Sequence, residues 1–322
     1  MWIITHKRIL IVIGLVIMTA AVLVIGTLGL NLGIDFTGGS LSEVSYGERP
    51  EKTEMEGRLS TLDLGGYSLR ETTDEAGRAG YILRTRDLSE TERIAVEEAL
   101  TSVGAEAELT RFTSIGPVIG QELKDKAVWA IGGVVTVIIL YVSFAFFGVG
   151  KPVSSWVYGG ITIFALAHDV LVPTAAMALL GYLFAVEVDV LFVMALLAVL
   201  GYSVNDTIVV FDRVRENLVR YRQEKKIKTK NEYGQTEETI DYVFTKPFAT
   251  IVGESVDQTL LRSINTSVTT LLALLALYFL GGDVTATFAL ILIVGVLAGT
   301  YSSIALASPL LVWWAERSNT NS

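Results

Sequence analysis

Six stretches of this chain are long and apolar enough to cross a lipid bilayer, and that limits the fold more than any single motif does. They run over residues 9–30, 127–149, 153–180, 188–211, 264–280 and 284–314. Hydrophobic residues make up 51% of the chain and charged ones 18%, gathered in clumps between the apolar runs. That pattern marks an integral membrane protein rather than a soluble globule. A secretory signal peptide has a shorter apolar core and a small-residue cleavage site, so the first run is expected to stay as an anchor.

The charges between the runs orient the chain. Residues 212–262 hold ten Lys and Arg, and Lys151 lies between the second and third runs. The connections around Glu187 and Asp189 and around Asp283 carry acid without Lys or Arg. The positive-inside rule then puts both termini, Lys151 and residues 212–262 in the cytoplasm. Residues 31–126, with 19 acidic and 11 basic side chains, fall on the other side. The expected division is 1–30 for the N-terminal segment and first span, 31–126 for an extracytoplasmic domain with linkers, and 127–211 for spans two to four. A cytoplasmic loop at 212–263 and spans five and six with a short tail at 264–322 complete it.

Residues 33–39 read GIDFTGG where the chain leaves the membrane. Gly33, Gly38 and Gly39 suit a tight interfacial turn that Asp35 caps, with Phe36 as its apolar member. No Gly-Lys-Ser/Thr follows, so this is not a phosphate loop. Beyond it the periodicity predicts strands near 41–46, 67–71, 81–86 and 107–112. Helices are expected over 51–62 and after the capping box at Ser89 and Glu92. The order βαββαβ is that of a small α+β ferredoxin-like domain. It has no histidine or cysteine and no nucleophile–base constellation, which fits a platform better than an enzyme. Residues 117–126 form a short amphipathic approach to the second span.

Polar residues inside the spans mark candidate sites, because an ionisable group there is costly unless it faces protein or water. The sharpest is the run 201–215, GYSVNDTIVVFDRVR, where Asn205 and Asp206 interrupt an apolar helix. Asp206 lies about 7–8 Å inside Phe211 at helical rise. His168 and Asp169 sit deeper, roughly 24 Å along the third span from its cytoplasmic turn. Pro173 removes the amide that would bond the Asp169 carbonyl. Arg262 and Ser263, with Asn265, Thr266 and Ser267, open the fifth span. Asp206 and Arg262 are expected at similar depth, as a pair that ionises and neutralises when a proton comes and goes. The bland alternatives are interhelical hydrogen bonding and a snorkelling arginine. His168 is either a satisfied packing residue or a proton relay. A metal centre is not expected, since the chain has no cysteine and two histidines without ligand spacing.

The basic segment after Asp212 is expected to start as a helix through Lys226, lying against anionic lipid headgroups. Residues 231–238 and 247–253 read as loop.

Four blocks carry a resemblance to a known family. GIDFTGG at 33–39, AHDV at 167–170, GYSVNDTIVVFDRVREN at 201–217 and QTLLRSINTSVTTL at 258–271 resemble SecF, the smaller membrane subunit of the SecD–SecF complex of bacterial protein export. The six-span plan is similar to one half of an RND-superfamily transporter. The resemblance implies a multi-pass protein of the bacterial cytoplasmic membrane, paired as a heterodimer with a SecD-type subunit beside the SecYEG channel. A proton gradient, with sodium as the alternative coupling ion, would drive the external domains to help move the translocating polypeptide. No other cofactor is implied. Asp206 and Arg262 match the positions associated with proton passage. Asp169 and His168 join that pathway as candidates, with Asn205, Thr207, Ser263 and Thr266 as supporting polar residues. Ser263 stands where the family's threonine is expected and keeps the hydroxyl. The stretch 224–254 is longer and more loop-like than the family pattern.

Two other readings compete. A different RND-type exporter half for lipid or small molecules would call for about twelve spans and two large cargo domains, whereas this chain has six and one. A passive scaffold would use the intramembrane charges only to hold subunits together. A nucleotide-driven machine is disfavoured by the lack of a Walker A pattern. The expected partners are proteins and membrane lipids, without nucleic acid.

Overall fold

The computed structural model describes residues 1–74, 76–146, 153–230 and 236–320. Lys151 and residues 231–235, both used in the orientation and loop readings above, lie outside the described residues. After the short α1 (Trp2–Thr5), five continuous helices are long and apolar enough to span a membrane: α2 (Lys7–Leu28), α6 (Pro117–Ala145), α7 (Ser155–Phe184), α8 (Val190–Arg220) and α9 (Phe248–Leu280). The sixth span is composite. It joins α10 (Asp283–Tyr301), a π-helical segment (Ser302–Ala307) and α11 (Ser308–Thr320).

The domain between α2 and α6 contains α3 (Ile34–Thr37), β1 (Gly39–Ser45), α4 (Lys52–Leu59), β2 (Ser68–Thr73), β3 (Ala79–Thr85), α5 (Glu90–Thr101) and β4 (Glu108–Ile115). Its sheet has the order β2-β3-β1-β4 with every pair antiparallel, the ferredoxin-like topology read from the sequence. Alternation along β1 and β3 sends Val44 and Leu83 to one face, where Met55, Leu59, Val96 and Leu100 from α4 and α5 close the core. The predicted capping box is present, with the Ser89 amide donating to Glu92 Oε2 at 2.8 Å and the Ser89 hydroxyl accepting from the Glu92 amide. Among the described residues no helix of the domain covers the opposite sheet face, which looks across a cleft to the membrane bundle.

In the bundle α8 is central. Half of its most apolar window is buried, against 6% for α6 and 11% for α9, so the latter two present most of their surface to lipid or to a partner. Small residues let α10 approach α8 closely. A Cβ on Gly295 would stand 2.2 Å from Val199 Cγ2, and one on Gly299 would stand 3.0 Å from Ser203 Cβ. One turn further Ser303 bonds Thr207 at 2.9 Å, the two being 96 positions apart like the pairs before them. The helices thus run parallel, meshed along an i, i+4 ridge of Gly, Gly and Ser, the small-residue packing typical of membrane helices. At the end that holds both chain termini, Phe146, Tyr158 and Phe211 form an aromatic cluster with ring centroids 5.2–5.9 Å apart.

At that same end the structure departs from the sequence reading. The helix carrying the basic residues stops at Arg220, and Arg222, Lys225 and Lys226 belong to β5 (Arg222–Lys230). This strand pairs antiparallel with β6 (Thr236–Phe244), so most of the expected loop is a hairpin. Both strands interleave Ile, Thr, Val, Tyr or Phe among charges, and these β-branched and aromatic residues outweigh the basic composition used to read a helix. Residues 248–253 are helical as well. Pro247 precedes the first turn, where its missing amide costs nothing, and α9 starts there.

Two outcomes test this packing. Val199 is stiff at its branched Cβ and cannot swing aside, so Gly295→Ala is expected to destabilise the bundle by about 1–3 kcal/mol, measured by denaturant unfolding in detergent. In the domain, hydrogen bonds from Arg86 and Ser89 hold the Glu92 carboxyl at about 2, below its ordinary 4.5. A depressed carboxylate contributes stability that is present above the ordinary value and lost as pH falls through the lowered one. Protection of the amides in the first turn of α5, taken relative to their intrinsic exchange rates, is therefore expected to fall between pH 4.5 and 2, and Glu92→Gln to remove that dependence.

Candidate functional site

The sequence-predicted polar residues of the spans fall into two neighbouring networks, and the helix register explains which meets which. α8 and α9 run antiparallel, so one turn along each brings Asp206 level with Ser263 and Tyr202 level with Ser267. Ser263 Oγ donates to Asp206 Oδ1 at 3.2 Å, and the Tyr202 hydroxyl donates to Ser267 Oγ at 3.3 Å. Ser267 in turn lies 2.7 Å from Thr300 Oγ1 of α10.

Asp206 is buried, at 6% exposure, and its second oxygen Oδ2 has no hydrogen-bond partner among the described residues. An unsatisfied buried polar atom is costly, and a carboxylate oxygen left open can take a proton without breaking an existing bond. Arg262 is at the expected depth, next to the serine that contacts Asp206, and its charge reaches the carboxylate through space. It does not form the expected pair. Its residue is exposed on the outside of α9, and no ion pair joins it to Asp206 among the described residues. The direct partner is Ser263, which lies on the buried face of α9 while its neighbour Arg262 lies on the exposed one.

Asp169 has the opposite environment. It is fully buried, and Oδ2 accepts from the hydroxyls of Ser203 and Ser302, the latter at 2.7 Å. His168 Nδ1 lies 2.9 Å from Oδ1. Asp169 therefore ties α7 to α8 and to the π-helical segment with both oxygens engaged. His168 Nε2 is buried without a hydrogen-bond partner among the described residues, and its ring lies 5.6 Å from that of Tyr301. Among the supporting residues, Thr207 bonds Ser303, Thr266 donates to the Arg262 carbonyl of its own helix at 2.9 Å, and Asn205 is exposed. Pro173 lies within α7, which runs on through it.

The residues missed by sequence reading are Ser203, Ser302 and Ser303. Ser203 lies within the Asp206 run, and the spacing of four through Gly295, Gly299 and Ser303 is visible in the chain. The π segment has no such signal. Single π turns inside α-helices are rare and recur at functional sites.

The membrane-exit motif forms a second cluster at the domain end of the bundle. Gly33 donates its amide to the Val188 carbonyl at 2.7 Å, and a Cβ there would stand 2.9 Å from the same oxygen. Asp35 does not cap its own turn. Its Oδ2 accepts from the Val190 amide at 2.9 Å, so it caps α8, the helix that carries Asp206. Phe36 packs with Met177, Phe192 and Leu196. Gly38 and Gly39 have φ of +72° and +125°, and a Cβ on Gly39 would stand 2.5 Å from the Thr85 carbonyl. Close by, Glu187 lies 2.9 Å from Arg84 and 3.3 Å from Arg70. Burial pushes the Glu187 carboxyl above its ordinary range, against the pull of Arg84 and Arg70. Burial likewise lowers Arg84 from its usual value.

With this geometry in place, comparison with known proteins decides the family. Residues 95–237 and 233–317 match the family described as protein export membrane protein SecD/SecF, C-terminal, and residues 23–48 match the SecD/SecF GG motif. The chain belongs to the SecD/SecF family. It is 37% identical over 300 residues to the protein translocase subunit SecF of Thermobaculum terrenum, covering 90% of this chain and 86% of that one. It is 35% identical over 296 residues to the protein translocase subunit SecDF of Thermus thermophilus, covering 90% of this chain and 35% of that one. The crystal structure of SecDF from Thermus thermophilus, described as a translocon-associated membrane protein, superposes with a TM-score of 0.79 at 32% identity over 98% of this chain. This chain spans 38% of that SecDF chain. The six-span architecture with its small α+β domain is thus a property of the family, and the GG motif is the segment described above around Gly38 and Gly39.

The two carboxylates make a contrasting prediction. Asp169→Ala leaves two buried hydroxyls and His168 without their acceptor and is expected to cost about 3 kcal/mol or more. Asp169→Asn keeps one acceptor oxygen and is expected to cost about 1–3 kcal/mol. Unfolding in detergent checks both values.

Proposed function

We propose that this chain is an accessory subunit of the Sec protein translocase, in which protonation of Asp206 couples the proton gradient to late steps of polypeptide export. The observation that carries the reading is the buried Asp206 with one oxygen open and an exposed Arg262 at the same depth. A buried carboxylate and a cation within electrostatic range of it are the elements of a site whose charge changes as a proton arrives and leaves. Family membership and relatives named as translocase subunits support the export role. The reading involves no substrate chemistry.

The partner is a SecD-type subunit. The Thermus relative carries its matching region within a chain of about three times the length, which supports an assembly of two halves. The exposed outer faces of α6 and α9, the latter bearing Arg262, suit such a partner. The SecYEG channel and the translocating polypeptide complete the assembly, in the bacterial cytoplasmic membrane with both termini inside. Asp169 and His168 support the site by fixing α7 against α8, and the coupling ion is a proton, with sodium as the alternative that the experiment distinguishes.

The test is Asp206→Asn, co-expressed with its SecD-type partner in vesicles. The complex is expected to copurify intact while export loses its response to an imposed proton gradient. Unchanged response makes the aspartate structural. Loss of the complex favours the scaffold reading, and a response of the unsubstituted chain to a sodium gradient alone reassigns the ion.

A further inference from the structure

The sheet domain and the bundle are held together in a way that invites motion. The domain's own core, built on Tyr46, Met55 and Leu100, is separate from the two cores of the bundle. Between them lies a cleft of about 480 Å³, with the uncovered sheet face on one wall and the α7–α8 connection on the other. What crosses the cleft is polar. Arg84 and Arg70 both hold Glu187, Arg84 also donates to the Leu32 carbonyl at 3.1 Å, and Arg70 donates to the Ala185 carbonyl. All three side chains are partly buried, with exposures of 19% for Arg84, 36% for Arg70 and 22% for Glu187. Their attraction is largely spent on their own desolvation, so the contact is reversible rather than a permanent weld. Interfaces of this polar kind between domains permit relative movement by default.

The position of Glu187 gives that movement a cause. It sits on the five-residue link between α7, which carries Asp169, and α8, which carries Asp206. The link is stiff where it leaves α7, because Ala185 closes that helix in the left-handed region at φ +55°, and where it enters α8, because Asp189 caps the first turn. A shift of α8 against α7 at the carboxylates therefore displaces Glu187. Beside it, the exit motif stays bonded to the same link through Gly33–Val188 and Asp35–Val190 and acts as the pivot.

Resting on the proton-coupled reading above, the geometry points to Glu187 as the catch of a latch, with Arg70 and Arg84 as its keepers, that transmits helix movement at Asp206 to the sheet domain. In the latched state the domain lies down on the bundle; release of Glu187 lets it swing about the exit motif and open the cleft. These residues are positioning residues and do not carry the proton.

The chain has no cysteine, which makes a clean lock available. Thr113→Cys on the sheet wall and Thr287→Cys on the bundle wall leave the latch residues untouched. The doubly substituted chain, in complex with its SecD-type partner in vesicles, is joined across the cleft with a reducible bismaleimide. Export that responds to a proton gradient is expected to be lost on cross-linking and to return on reduction, with the uncross-linked protein as its own control. Full response with the cross-link in place overturns the latch. Glu187→Gln is the second arm, and loss of the response with the complex still copurifying is expected. A normal response there also overturns it. Asp206→Asn runs in parallel and separates the two ideas: if that variant keeps its response while the cross-link abolishes it, the proton assignment fails and the latch stands.

Discussion

A carboxylate inside a bilayer has to be provided with partners by the protein around it, and Asp169 shows how much structure that requirement organises. Its two oxygens collect hydroxyls from α8 and from the last span, and a histidine from its own helix. The last span brings its hydroxyl close where α10 lies so near α8 that Gly295 and Gly299 have no room for a side chain. The close approach in turn brings Ser303 to Thr207, next to Asp206. Packing and polar satisfaction are thus one arrangement. Removing the small residues would separate the hydroxyls from the carboxylate, and removing the carboxylate would leave hydroxyls buried with nothing to bond.

The two aspartates illustrate how the environment divides roles between identical side chains. Asp169 is saturated and holds three elements together. Asp206, about ten turns of helix away in chain order yet in the next layer of the same bundle, has one oxygen bonded to Ser263 and one left open. An arginine waits at its level on the outside of α9, where the bundle offers no cover. In the Thermus relative the matching region is part of a longer polypeptide.

Much of this was legible in the residues alone. Hydrophobic run length located the spans, period-two and period-3.6 patterns located the βαββαβ domain, and the cost of buried charge singled out Asp206, Arg262 and Asp169. What stayed hidden depends on contacts between distant segments. Nothing local says that Ser263 rather than Arg262 meets Asp206, since that follows from the antiparallel register of α8 and α9. Asp35 looked like the cap of its own turn and caps a helix 155 residues away instead. The β5–β6 hairpin was hidden by its lysines, which mimic a basic helix until their β-branched neighbours are weighed. Glu187 drew attention only as an orienting charge, because its two arginine partners sit far back in the sheet domain.

The π-helical segment in the last span has a geometric effect beyond its two serines. A turn of this kind accommodates an extra residue, and one residue of an α-helix is worth about 100° of rotation. Up to the first residues of the segment, the span shows Gly295, Gly299 and Ser303 to α8; later in it Leu306 lies over Gly14 of α2, and beyond it Glu316 meets Lys7 near the start of that helix. The surplus residue lets a single rod address two neighbours that a uniform helix would address out of phase. It makes the length of this span a matter of parity as well as reach. Deleting one residue between Ser302 and Ala307 would let the rod close into a uniform α-helix with its final third still facing the first helix, whereas straightening the segment at its present length would turn that third away by about 100°.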